Sequence, residues 1–375
     1  MRHNLRVAGC LVLLGLVLPG CLYVTNGPSG VTGPPGAAFD NYDAGDPAAV
    51  NFPPGNSAIQ VYTSNEGWDP TSPKNIPMWT TNVAPSVSIA SFRDALPTLP
   101  NWATPLPNPF TGIRPTTSVV SWAPSVIQWP RTAQDANDYL MSFAEQDTTG
   151  GPNGPMCIGF AYSTNGPNNP FSALPFEYCG GANNDIDPYL WVDSNGNQMT
   201  LLFSNQGSNP PAPNNSAIWS QALNISGVGS STSISWSAVP QEILTLPAAN
   251  FIASKGDSTF NGGALDRVEN PAVVWEAGQG FDVTASVGTY NGLYWTVEEL
   301  CGLLTAANTC SGTTYLNSGG SSGLGYLFSH WGSASFLKSN TSTNEVFGSL
   351  CYGQCLLDPF SPPTNYRFEV NYSVG

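Results

Sequence analysis

Charge is what this sequence has least of. Of its 375 residues 9% are charged, and 10 Lys and Arg face 25 Asp and Glu, for a net charge of −15. The lysines are Lys74, Lys255 and Lys338. With no basic stripe to neutralise phosphates, nucleic acid is excluded as a partner. A neutral ligand suits this field better than a polyanion does. Histidine is almost missing, with His3 and His330 alone, so neither supplies a companion cluster for a Cys351/Cys355 metal site, and no metal centre is assigned. Long helical periodicity is absent too; the longest helical candidate is the short stretch Val297–Ala307.

Long apolar runs are confined to the N-terminus. Arg2 and Arg6 precede about fourteen apolar residues, and Leu18-Pro19-Gly20-Cys21 follows. This reads as a secretory signal over 1–20, too short for a stable transmembrane helix. Leu18–Cys21 is similar to a bacterial lipobox, which makes Cys21 a candidate lipid anchor, with free secretion as the alternative. Loss of the two arginines takes the net charge from −15 to −17. Residues 21–38, rich in Gly and Pro, read as a flexible tether, and 39–375 as one large all-β domain. Six cysteines then remain: Cys157, Cys179, Cys301, Cys310, Cys351 and Cys355. An even number in an exported chain points to disulfides, and pairing of neighbours is the economical arrangement.

What the sequence has in abundance is short apolar runs separated by Gly, Pro, Asn and Ser. Examples are Ala58–Thr63, Ser118–Trp122, Tyr139–Ala144, Met156–Ser163, Met199–Phe203, Phe281–Ser286 and Tyr366–Tyr372. Many short strands with turn signals between them indicate a sandwich, barrel or propeller. A loose repeat favours the last. Asp46-Pro47, Trp122-Ala123-Pro124, Asp187-Pro188 and Glu269-Asn270-Pro271 each precede a strand, at spacings of 65 to 82 residues. Four such units and a C-terminal one make a five-bladed β-propeller.

The stretch ANNDIDPYLWVDSNGN, residues 182–197, has two readings. In one, Asp187-Pro188 starts a turn, Tyr189–Val192 is a strand and Asp193–Asn197 a hairpin loop, with Asp185 and Asp193 solvated. In the other, Asp187 is a carboxylate on the rim of a site. A propeller starts every innermost strand at one end of its axis, which would gather Asp46, Asp187 and Glu269 over one cavity. Carboxylates held together push their pKa values apart, so one can serve as acid and another as base. An acid and a base flanking a sugar perform glycoside hydrolysis.

At this point the sequence resembles glycoside hydrolase family 43. The resemblance runs through Gly45–Val50, Asn75–Thr81, Asp94–Trp102, Ser121–Val126, Cys157–Ser163 with Asn169-Pro170-Phe171, Ile186–Tyr189 with Val192–Gly196, and Val268–Pro271. It implies a five-bladed propeller acting on arabinose- or xylose-containing glycans with inversion. By position it implies Asp46 as general base, Glu269 as general acid and Asp187 as the residue that tunes and orients Glu269. Trp122 would offer a platform to a sugar face, and Arg367 a hydrogen bond to a hydroxyl. No cofactor is required for that chemistry, and a structural ion on the axis stays open. The expected partner is a neutral poly- or oligosaccharide met by a monomer outside the cell or at its surface. The sequence departs from the family pattern at Asn270, where Gly or Ala is usual, at Ser125, and over Gly332–Phe336, where relatives carry an axial histidine. Those departures sustain two rivals, a non-catalytic glycan-binding propeller and a structural adhesion protein.

Overall fold

In the computed structural model the described residues are 23–24, 48–51, 59–62, 64, 75–80, 93–103, 121–130, 137–150, 154–179, 185–193, 198–205, 216–236, 239–245, 267–276, 280–288, 294–306, 309–315, 331–336, 343–352 and 364–373. They form five antiparallel sheets in chain order. The first contains β2 (Ala48–Asn51), β3 (Ile59–Tyr62), β4 (Pro77–Thr80) and β5 (Arg93–Asp94). The second contains β6 (Trp122–Gln128), β7 (Tyr139–Gln146), β8 (Met156–Ser163) and β9 (Ser172–Tyr178). The third contains β10 (Asp185–Val192), β11 (Met199–Asn205), β12 (Ala217–Ser226) and β13 (Ser233–Trp236), with β14 (Gln241–Thr245) on the other half of β12. The fourth contains β15 (Arg267–Glu276), β16 (Gly280–Gly288), β17 (Tyr294–Cys301) and β18 (Cys310–Tyr315). The fifth contains β19 (Trp331–Phe336), β20 (Thr343–Tyr352), β21 (Thr364–Ser373) and, from the other end of the chain, β1 (Tyr23–Val24).

The first strand of each of these blades packs on the first strand of the next. β2 meets β6, β6 meets β10, β10 meets β15, β15 meets β19, and β19 returns to β2. The ring is closed, and it is a five-bladed β-propeller. β1 lies inside the stretch expected to be a tether: Tyr23 pairs with Asn371 and Val24 with Val370.

Stacked blades bury both faces of a sheet, which explains why its strands read as unbroken apolar runs. In β7, Tyr139, Met141 and Phe143 face the first blade, while Leu140 packs against the third. A slip of one residue would exchange the two interfaces, so the pleat fixes the register. Each buried Leu, Ile, Phe or Met side chain there contributes about 1.5–3 kcal/mol. Among the described residues, serine hydroxyls supply polar bonds between blades, in keeping with the shortage of charge. Ser64 Oγ accepts Ala123 N–H at 2.7 Å, Ser125 Oγ accepts Leu190 N–H at 2.9 Å, and Ser216 Oγ accepts Val268 N–H at 3.0 Å.

Two expectations need correction. The helix expected over Val297–Ala307 is not found over its described residues, 297–306: residues 297–301 belong to β17, paired residue by residue with β16, and Cys301 is tied to Cys310. Cross-strand pairing with a buried Val297 outweighs the helix propensity of Glu298 and Glu299. Of the strand expected over Ser118–Trp122, residues 118–120 lie outside the described residues, and Trp122 opens β6. Asp185 is not a solvated loop acid; it is fully buried in β10 and accepts a 2.7 Å hydrogen bond from Asn205 Nδ2. Two neighbour disulfides form as expected, Cys157–Cys179 and Cys301–Cys310. Cys355 lies outside the described residues.

Candidate active site

Each of four innermost strands breaks register with its neighbour over the two residues after its first pairs. The shifts fall between Trp122 and Ser125, Ile186 and Tyr189, Glu269 and Ala272, and Gly332 and Ser335. Bulges of this kind bend a strand and re-aim its side chains. In three of the blades the first bulged residue has a left-handed backbone and precedes a proline: Ala123 at φ 47°, Asp187 at φ 53° and Asn270 at φ 54°. Left-handed φ is costly for a residue with a Cβ, least so for Asp and Asn, and a following proline disfavours helical backbone further. The same strained feature in three blades, all at one end of the axis, marks that end as the place where geometry is being enforced.

The bulges also correct the alignment of the acids. Asp187 is equivalent to Asn270 and Ala123, whereas Glu269 is equivalent to Ile186 and Trp122. The two carboxylates therefore stand one position apart in the repeat, and a bond between blades ties the Asp187 carboxylate to the backbone beside Glu269. Asp187 Oδ2 accepts the backbone N–H of Asn270 at 3.2 Å, the peptide that follows Glu269. Asp187 is 6% exposed, so this bond lies out of bulk water. Glu269 sits in β15 and not on a loop, with its side chain 12% exposed. Arg267, buried on the same face of β15, places Nε 3.8 Å from Glu269 Oε1. Directly before the acid, Val268 is clasped at N–H and at C=O by Ser216, and Ser204 Oγ also donates to that carbonyl.

The remaining expected site residues fall as follows. Trp122 opens β6 opposite Ala144 and is partly exposed at the same end. Asp46 lies outside the described residues, two residues before β2. Arg367 pairs with Ser349 in β21, two strands out from β19. His330 lies outside the described residues, and Asp187 and Glu269 alone do not make a donor set for an axial ion. Asp147 and Glu177 flank the Cys157–Cys179 sulfurs; bonded to each other, those sulfurs are not thiolate ligands.

One buried acid escaped the sequence reading. Glu145 is fully buried, accepts Ser121 Oγ–H at 2.5 Å and also the N–H of Gln146. Burial raises its carboxyl to about 8, against the opposing effect of those two hydrogen bonds. Ser121 directly precedes Trp122, so this neutral acid braces the start of β6. Nothing at the level of sequence distinguishes Glu145 from the surface acids around it.

Comparison with solved structures follows from this geometry. A thermostable family-43 glycoside hydrolase superposes with a TM-score of 0.56 at 16% identity, over 91% of this chain and 92% of that one. The fold is that of a family-43 glycoside hydrolase. An α-L-arabinanase from Cellvibrio cellulosa, solved with arabinohexaose, gives 0.51 at 14% identity over 88% and 92% of the two chains. An α-L-arabinofuranosidase from Lactobacillus brevis gives 0.52 at 13% identity over 86% and 90%. No family model and no curated protein matches the sequence. The likeness is thus one of fold, with little sequence identity behind it, and it extends over about nine-tenths of the chain.

Proposed function

We propose that the protein is an exported glycoside hydrolase that cleaves α-L-arabinofuranosyl or β-xylosyl linkages in plant-type polysaccharide with inversion. The observation that carries this reading is the hydrogen bond from the Asn270 peptide to Asp187, which ties a buried carboxylate of one blade to the acid-bearing strand of the next. In this reading Asp46 takes a proton from water, and the water oxygen attacks the anomeric carbon. Glu269 gives its proton to the glycosidic oxygen as that bond breaks. Inversion requires room for the water, which sets an acid–base gap of about 6.5–9.5 Å. Asp187 attacks nothing; it holds the peptide beside Glu269 and so fixes the direction of proton delivery. Trp122 gives an apolar face to a sugar ring. Because β21 is two strands from β19, Arg367 has no role in this proposal. The disulfides and the N-terminal signal support export, with Cys21 as the site of lipid attachment.

Hydrolysis of aryl α-L-arabinofuranoside, aryl β-xyloside, debranched arabinan and arabinoxylan tests the reading, with Glu269→Gln as control. Sugar release by the parent protein alone is expected. Release by Glu269→Gln at the parent rate would remove the acid assignment. A folded protein that binds but does not cleave would leave a glycan-binding propeller.

A further inference from the structure

Asn270 is the residue this chain places where a methyl stands in the second blade and a carboxylate in the third. Its backbone is left-handed at φ 54°, a conformation that glycine adopts without cost and that asparagine tolerates. The bulge that holds it is shared with Ala123 and Asp187, so the Cα–Cβ bond of Asn270 leaves the backbone in the same sense as theirs. For Asp187 that direction reaches across the mouth to the next blade, as its bond to Asn270 N–H shows. One blade on, the same direction carries the carboxamide of Asn270 over the seam where β15 packs on β19. Its backbone N–H is spent on Asp187, while among the described residues no hydrogen bond engages its carboxamide. Asn270 is partly buried, directly beside Glu269.

We infer that Asn270 is a specificity-determining residue whose carboxamide hydrogen-bonds a hydroxyl of a neutral saccharide at the mouth of the cleft, next to the bond that Glu269 protonates. The inference rests on the glycosidase reading and sharpens it. A carboxamide donates and accepts at once, which matches a sugar hydroxyl. It carries no charge, and with the Asp187 carboxylate bonded to the same residue's N–H, a uronate or phosphate in that position would meet repulsion from Asp187. The side chain also fills space that a glycine would leave open, so it narrows the mouth on the leaving-group side.

The test separates affinity from stability, because the two move in opposite directions. In a Glu269→Gln background that cannot turn over, calorimetry with arabinohexaose and with xylohexaose measures binding. Asn270→Gly relieves the backbone and is expected to melt at the same temperature or higher, yet to bind about tenfold more weakly, the value of one neutral hydrogen bond. Asn270→Ala keeps the unfavourable φ and loses the amide, so it is expected to lose both stability and affinity. Binding by the parent that Asn270→Gly leaves unchanged or tightens overturns this inference alone. Absence of binding to either hexasaccharide by the parent removes the glycosidase reading and this inference with it.

Discussion

Replacing Glu145 by glutamine should abolish a loss of stability that the parent chain suffers between weakly acidic and weakly alkaline pH. Glu145 titrates near 4.5 when unfolded and near 8 when folded, because burial disfavours its charged form. Below pH 4.5 the carboxyl is neutral in both states and costs nothing. Between 4.5 and about 8 the folded state holds a proton that the unfolded state has released, so stability falls as pH rises. Above about 8 the decline stops, with its full cost in place. At about 1.36 kcal/mol per pH unit, the interval corresponds to a ceiling of about 5 kcal/mol. Glutamine keeps the shape and a carbonyl for Ser121 Oγ–H, but it cannot ionise. Urea denaturation followed by tryptophan fluorescence, at pH 4, 6 and 8, yields the difference between variant and parent at each pH. All other titrating groups are common to both chains and cancel from its pH dependence. The expected difference is near zero at the acid end and several kcal/mol in favour of Glu145→Gln at pH 8. A difference that stays constant with pH would refute the assignment of a buried, neutral carboxyl.

Further outcomes follow from the same structure. Ser216→Ala removes both bonds to Val268 and should cost about 1–3 kcal/mol; because Val268 adjoins Glu269, kcat should fall more than stability alone explains, read by turnover at a temperature where the variant is fully folded. Cys157→Ser with Cys179→Ser opens a loop of 22 residues and should lower stability by about 3 kcal/mol, checked by denaturation against the parent. Tyr62→Phe, which deletes a fully buried donor to the Pro167 carbonyl, should cost about 1 kcal/mol in the same assay.

The propeller was legible in the sequence because its repeat is carried by backbone chemistry. An acid, alanine or asparagine before a proline, followed by an apolar run, is a local signal, and it recurs at blade spacing. The bulge behind that signal was not legible: the proline aligns Asn270 with Asp187 along the chain, but the bulge that re-aims both side chains shows only in the two-residue register shift. Val297–Cys301 misled for a related reason, since its glutamates favour a helix locally while its partners lie in β16 and β18. Glu145 was hidden because burial depends on blades distant in sequence, and Arg267 because its proximity to Glu269 requires both to share one face of β15.

The pairing of Tyr23–Val24 with Asn371 and Val370 makes the order of synthesis matter. The segment that completes the last blade is among the first made, and it must wait for almost the entire chain before its partner exists. Until then β1 has no partner strand, and an exposed strand edge is a template for pairing with other chains. The interval between translation of the two ends is thus the period in which this protein is most open to association with copies of itself. If Cys21 carries lipid, the waiting segment is also the one held at the membrane. The ring would then close directly against the bilayer, with the bulged end of the ring at a distance set by the body of the propeller and not by a flexible leash.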